Sequence, residues 1–486
     1  MSLSELAGLV DGELRGSDVG VTGVTLASDR VRPGDLFAGV PGHAAHGASY
    51  AADALGAGAV AVLTDPAGLA RVPGGVPVLV VDEVRGAVGP VAARVYGDPS
   101  ADLQVLGITG TSGKTTTSYF VRAGLVAAGV PSGLIGTVAT MVGDQAIKTG
   151  FTTPEATDVQ ALLAVMRERG ARAVVAEVSS HALALGRADG VRFAVGAFTN
   201  LSQDHLDLHG SMEEYFAAKA RLFDGRSARG VVCVDDEWGV RMAAIAGPDV
   251  ITVSTAGGEA TWRAESITTS ADGHTRFRAI GPPGAYDAGC AVPGAYNIAN
   301  ALVAIAVLDA VGIPPADVVS AIARATVPGR MEPVQAGQQF LAVVDYAHKP
   351  GAVLGALQAL RPLTEGRLIA VLGCGGDRDK GKRVEMGVLA AANSDLLIVT
   401  DDNPRTEDPA AIRAQMLAGV RSVAGADYRE IGDRGAAIRA AVEQAMAGDT
   451  VLIAGKGHET GQEIMGAVTP FDDREVLRAA IQERLA

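Results

Sequence analysis

The sequence predicts an α/β protein built on parallel sheets. Short apolar runs recur along the chain with helix-length stretches between them. One run, "VLGITGTSGKTTTSYF" at 105–120, reads as strand, glycine-rich turn and helix. Pro/Gly breaks at "YGDPSADLQ" and "VPGRMEPV" divide the chain near 98 and 328. The runs are continuously apolar rather than alternating, as strands covered on both faces require. At 486 residues the chain exceeds one ordinary core, so two to four domains are expected.

The first stretch, 1–98, alternates "DLFAGV", "AVAVLT" and "VPVLVV" with Ala-rich helical segments, a small α/β domain. The second, 99–328, repeats the pattern at "LQVLGITG", "ARAVVAEV", "VGAFTN" and "GVVCVDD". Residues 262–292 break it with period-two patterns such as "RFRAI" around the turn "ADG", an antiparallel insertion. "YNIANALVAIAVLDAVG" reads as a buried helix. The third stretch, 329–486, carries four apolar strands that end in polar or glycine-rich loops: "FLAVVDYAH", "LIAVLGCGG", "DLLIVTDDNP" and "TVLIAGKGHE". Open α/β sheets bind ligands at the carboxyl ends of their strands, so all four loops are site candidates.

Composition narrows the function. Apolar residues make up 48% and aromatic residues 4%, so large cores must be built from Ala, Val, Leu and Ile. The net charge of −14, from 41 basic and 55 acidic side chains, argues against a surface that coats nucleic acid. Cys233, Cys290 and Cys374 have no C-x-x-C spacing and are expected to be reduced and buried. The N-terminal stretch lacks a basic segment followed by an apolar one, so no signal peptide is expected. The run "ALVAIAVL" ends at Asn300 and Asp309, short of a membrane span, and a soluble cytoplasmic protein is expected.

"GTSGKTT" sets Gly110, Thr111, Ser112, Gly113, Lys114, Thr115 and Thr116 between strand and helix. Glycines let backbone N–H groups converge on phosphate oxygens, and a helix N-terminus adds partial positive charge. Lys114 would reach the outer phosphates and Thr115 a magnesium ion. The pattern departs from the general P-loop, because Ile108 stands where a glycine is usual. Glu177 ends the strand "ARAVVAEV", where a sheet-end acid can reach the metal. His205, in "SQDHLDLHG", reads alone as a loop histidine, and Lys219, in "EEYFAAKARLF", as a solvated helix lysine.

Beyond these, "TTPEA", "EVSSHAL", "NLSQDHLD", "GAYNIANALVA", "VPGRMEPV", "VDYAHKP", "GCGGDRDKGKR", "DDNPR" and "GKGHE" follow in order. This series resembles the Mur ligases over essentially the whole chain. The resemblance implies a UDP-binding domain at 1–98, an ATP-binding domain at 99–328 and a Rossmann-like amino-acid-binding domain at 329–486. It implies a cytoplasmic, ATP-dependent amide ligase of peptidoglycan precursor synthesis that acts through an acyl phosphate. It makes His205 a metal ligand and Lys219 a lysine carboxylated by CO2. Thr152, Thr153, Ser179 and Arg187 match positions for the UDP-muramoyl dipeptide; Asn297, Asn300, Arg330 and Asp345 match positions around adenosine. Ser28 aligns with the uridine pocket, although Ala27 and Asp29 replace its usual neighbours, and Lys349 stands where the family often has Thr.

"DDNPR" bears on the amino acid added. Diaminopimelate carries a distal carboxylate that lysine lacks, and an arginine fork binds a carboxylate through two parallel hydrogen bonds. Arg405 suits that task, and diaminopimelate-adding members of the family carry D-N-P-R here. By the same resemblance Asp402, Asn403, Arg378, Gly455 and Glu459 complete the pocket. The expected substrates are UDP-MurNAc-L-Ala-D-Glu and diaminopimelate, with ATP, Mg2+ and CO2, on a monomer that binds neither nucleic acid nor membrane. A lysine-adding ligase, a folylpolyglutamate synthetase and a P-loop ATPase switch are the alternatives.

Overall fold

The computed structural model describes residues 1–42, 44–147, 150–270 and 273–486. The chain folds as two compact units. One comprises Met1–Arg263, Ile280–Gly284 and Leu302–Ala321; the other comprises Ala264–Ala279, Ala285–Ala301 and Ile322–Ala486. Three large sheets carry the architecture, in agreement with the α/β reading.

The first sheet has five strands in the order Glu13–Arg15, Val78–Val80, Ala61–Thr64, Asp35–Ala38 and Gly23–Thr25. Only the first pair is antiparallel. Leu3, Leu6, Leu36, Leu63, Leu79 and Val91 fill its core. The Pro/Gly break that follows is a packed turn. Pro99–Ala101 is a short 3-10 helix, Ser100 Oγ accepts from Arg192 N at 3.1 Å, and Arg167 donates to Gly97 O at 2.8 Å.

The central sheet runs Ile251–Ser254, Gly230–Cys233, Val195–Phe198, Gln104–Thr109, Ala173–Glu177 and Ser132–Ile135, all parallel. Thr140–Val142 and Gln145–Ile147 extend it antiparallel. From Gln104–Thr109 the chain first fills one side of the sheet and then, from Val195, the other. The reversal falls at the carboxyl end of Gln104–Thr109, where an α/β sheet opens a binding crevice. The strands are mostly apolar, as in a sheet covered on both faces; Val105, Val174, Leu163, Phe193, Phe198 and Leu222 are buried there.

Trp262–Thr269, Thr275–Gly281 and Gly284–Cys290 follow as neighbouring strands in chain order. A two-residue link between the last two requires an antiparallel pair, and Thr275–Gly281 alternates buried and exposed positions as the "RFRAI" pattern predicts. Ala271 and Asp272 of the expected "ADG" turn lie outside the described residues.

In the second unit six strands lie in the order Glu332–Pro333, Leu341–Asp345, Thr450–Ala454, Leu368–Leu372, Leu396–Val399 and Tyr428–Glu430. All pairs but the first are parallel. The four expected loops therefore leave the sheet at one edge. A hairpin, Gly461–Ile464 with Ala467–Pro470, lies beside them through a bridge from Ile464 to Arg405. All three cysteines are buried and free. Among the described residues no helix is long and apolar enough to cross a membrane.

Candidate active site

Strand Gln104–Thr109 delivers the glycine loop, and helix Lys114–Ala127 starts at its end. Gly110 has φ +146° and Gly113 φ +88°, which L side chains adopt at a cost. A Cβ on Gly110 would also overlap Thr199 Oγ1. The neighbouring strand end braces the loop from outside: Thr199 Oγ1 donates to Ser112 O at 2.6 Å, and Thr111 N donates to Asn200 O at 2.9 Å. Asn200 Oδ1 accepts from Ser112 N at 3.1 Å. Thr116 is buried in the first helical turn.

Glu177, fully buried, is a hub of hydroxyls. Thr115 Oγ1 donates to its Oε2 at 3.0 Å and Thr137 Oγ1 to the same atom at 2.8 Å. Thr137 N donates to Oε1 at 3.0 Å. Thr152 Oγ1 lies 3.0 Å from Thr137 Oγ1, and Thr153 Oγ1 donates to Glu177 O at 2.8 Å. Ser179 N donates to Thr153 Oγ1, while Ser179 Oγ caps helix Ser180–Ala184. Arg187 pairs with Glu155 at 2.9 Å and lies over the Phe151 ring. Ser28 opens a short 3-10 helix, half-buried.

Lys219 is no solvated lysine. The side chain is 1% exposed. Its amine lies 4.5 Å from the Tyr215 ring centre and donates to Gly110 O at 2.8 Å. Lys114 Nζ donates to the same carbonyl at 2.8 Å and to Thr111 O at 2.9 Å. Burial first, and the charge of Lys114 second, push the Lys219 amine well below the usual lysine range. The solvated reading fails because helix Met212–Ala220 turns this position inward, against the loop. His205 has φ +53° and pairs with Asp204 at 3.3 Å. Its ring packs edge-on to His181, 4.6 Å between centres. Among the described residues no three His, Cys, Asp or Glu side chains converge as a metal cage.

In the second unit, Asn403 accepts from Lys456 Nζ at 2.9 Å and donates to Glu459 Oε2 at 2.7 Å. Asp402 is buried, and burial raises its carboxyl above the ordinary range against the pull of Arg434 and Lys456. Arg405, at φ +53°, donates through Nη1 to Gly376 O at 2.7 Å, with Glu463 3.6 Å from its Nε. Arg378 is exposed and donates to Asp377 O at 3.4 Å. Gly455 N donates to Asp345 O at 3.1 Å. Burial raises the Asp345 carboxyl although it accepts from Met331 N and Ala347 N. Arg330 lies over the Tyr346 ring, 4.6 Å to its centre. Asn297 and Asn300 are linked at 2.9 Å.

Family models match almost the whole chain: "Mur ligase family, catalytic domain" at 20–96, "Mur ligase middle domain" at 108–308 and "Mur ligase, glutamate ligase domain" at 329–457. The chain belongs to the Mur ligase family. A relative from Streptomyces avermitilis, UDP-N-acetylmuramoyl-L-alanyl-D-glutamate--2,6-diaminopimelate ligase, is 52% identical over 99% of this chain and 96% of its own. One of the same name from Corynebacterium glutamicum is 49% identical over 99% and 98%. A solved structure of a ligase of that name, 33% identical, superposes with TM-score 0.71 over 96% of both chains. A folylpolyglutamate synthase from Mycobacterium tuberculosis, 17% identical at TM-score 0.62, shares the fold alone.

In this Mur ligase the structure draws Thr115, Glu177, Thr152 and Thr153 into one hydrogen-bonded group, and Lys114 with Lys219 onto one carbonyl. His205 lies in a cluster of rings with His181 and Tyr215, and the Tyr215 ring also faces the Lys219 amine. Sequence reasoning missed Thr137, which sits in no recognisable pattern. It also missed Lys456, fully buried, whose place inside "GKGHE" was the available signal.

Proposed function

We propose that the chain adds diaminopimelate to the D-glutamate carboxylate of UDP-MurNAc-L-Ala-D-Glu, using ATP, in cytoplasmic peptidoglycan precursor synthesis. The observation that carries the reading is the presence in one chain of a braced phosphate loop backed by a buried amine and of the Asn403–Lys456–Glu459 cluster beside Arg405. Residues 1–98, 99–328 and 329–486 serve the UDP end, ATP and the amino acid.

The N–H groups of 110–116 and the helix start hold the phosphates, and Lys114 leaves its carbonyl partners to reach the outer ones. The D-glutamate carboxylate oxygen attacks the γ-phosphorus, the O–P bond to ADP breaks, and an acyl phosphate results. The diaminopimelate amine then attacks the acyl carbon, phosphate leaves, and an amide remains with loss of a proton. A carboxylate alone is a poor acylating agent because hydroxide leaves badly; phosphate leaves well.

The hard oxygens of Thr115 and Glu177, 3.0 Å apart and buried, suit magnesium. With His205 and the carboxylated Lys219 they would hold it, and the ion would offset the charge where two anions meet. Burial and the neighbouring Lys114 charge shift the Lys219 amine toward its neutral form, the form that adds CO2, so the site fits carboxylation. Ser28, Thr152, Thr153, Ser179 and Arg187 hold the UDP-muramoyl dipeptide; Asn297, Asn300, Arg330 and Asp345 hold adenosine; Arg378, Asp402, Asn403, Arg405, Gly455 and Glu459 hold diaminopimelate.

The test is phosphate release by the purified chain. A ligase releases phosphate only when the nucleotide dipeptide and diaminopimelate are both present, with tripeptide formed in equal amount. Phosphate release indifferent to both would replace the ligase reading with a P-loop ATPase switch. Lysine used in preference to diaminopimelate would make it the lysine-adding enzyme.

A further inference from the structure

Two loops meet beneath Arg405: 373–381, from "GCGGDRDKGKR", and 401–407, from "DDNPRTE". They touch backbone to backbone. Gly376 N donates to Asn403 O at 2.9 Å, and a Cβ on Gly376 would overlap Pro404 O. A Cβ on Gly375 would lie 3.1 Å from Arg405 Nη1. The paired glycines therefore serve loop-to-loop contact. At the back of the contact Arg383, with no exposed surface, forms a fork on Glu407: Nη2 to Oε1 at 2.9 Å and Nη1 to Oε2 at 3.1 Å. Its Nη2 also donates to Gly375 O at 3.1 Å, and Nη1 to Gln415 at 2.9 Å. Glu407 accepts in addition from Asp377 N at 2.6 Å and pairs with Lys380 at 3.2 Å. On the outer side Asp377, at φ +53°, accepts from Thr406 N and Thr406 Oγ1.

We propose that the Arg383–Glu407 pair is a latch that clamps the two loops together and so aims the Arg405 guanidinium at the distal carboxylate of the incoming amino acid. The proposal rests on the diaminopimelate reading of Arg405 given above. Arg383 and Glu407 are positioning residues: Arg383 lies behind the loops, Glu407 closes the second of them, and both act through Gly376 O and the left-handed backbone of Arg405. Arg383 and Glu407 each hold several partners at once, so the fork is fixed by the protein itself. Glu407 stays ionised throughout the working range, its carboxyl held down to about 2, chiefly by Arg383 and then by Asp377 N.

The test is steady-state phosphate release by the full chain with ATP, the nucleotide dipeptide and either diaminopimelate or lysine. Glu407→Gln should raise the KM for diaminopimelate about tenfold or more and narrow the preference over lysine. kcat and the KM values for ATP and for the nucleotide should change less than about twofold. Glu407→Asp, which keeps the charge but shortens the reach to Arg383, should do the same more weakly and decides the matter if Glu407→Gln does not fold. A parent enzyme that prefers diaminopimelate, with variants of unchanged KM, overturns the latch alone. Equal rises in all three KM values, or a loss confined to kcat, also overturn it. A parent indifferent between the two amino acids overturns the Arg405 reading, and the latch with it.

Discussion

Replacing Arg405 by alanine tests the amino-acid pocket most directly. The guanidinium has five N–H donors. In the structure Nη1 is bound to Gly376 O and Nε faces Glu463 at 3.6 Å, so part of the fork remains for a ligand carboxylate. Hydrogen bonds to a charged group contribute roughly 1.5–3 kcal/mol. The side chain keeps 24% of its surface exposed, so water screens the pair and the total is set within that range rather than doubled. At 1.36 kcal/mol per tenfold, kcat/KM for diaminopimelate should fall roughly 10- to 150-fold. The loss should appear in the KM for diaminopimelate, because the distal carboxylate does not react. Lysine has no such carboxylate, so its kcat/KM should hardly move and the selectivity ratio should collapse. The assay is phosphate release against each amino acid at saturating ATP and nucleotide. An unchanged diaminopimelate-to-lysine ratio would refute the assignment of Arg405.

Lys219→Ala should abolish ligation, and a small added carboxylate should restore part of it; full activity in the mutant would show that no carboxylated lysine is needed. Gly110→Ala should weaken nucleotide binding at least tenfold by direct titration, since its Cβ overlaps Thr199 Oγ1 and its φ is +146°. His348 predicts a pH effect. Burial holds its pKa down at about 4 against the ordinary 6.5. The unfolded chain takes up this proton first, so stability is full above pH 6.5 and is lost as pH falls toward about 4. The loss is about 3 kcal/mol. His348→Gln should flatten that limb of the stability profile measured by denaturant unfolding, and an unchanged limb would exclude His348 as its source.

Much of the site could be read along the chain because local chemistry demands local residues. A turn that presents N–H groups to phosphate needs glycines between strand and helix, as at 110–113. A strand buried among neighbours on both sides is nearly all apolar, so the acid that ends Ala173–Glu177 stands out. The solvated reading of Lys219 failed for the opposite reason. Helical spacing gives a side chain's direction around its own axis but not what lies opposite, and here Gly110 O and the Tyr215 ring lie opposite. Thr137 was silent for the same cause: its bond to Glu177 spans 40 residues.

The order of elements, the glycine turn between strand and helix and the donor fork of Arg405 were determined by the sequence alone, because each depends on periodicity, on backbone freedom or on the donors of one side chain. Only the tertiary structure decided that Lys219 is buried beside Lys114, that Thr137 completes the Glu177 hub, and that Glu407 joins Arg383 beneath Arg405. Those are encounters between residues distant in sequence, and the free energy of such an encounter depends on the water excluded and the partners met when the sheets pack.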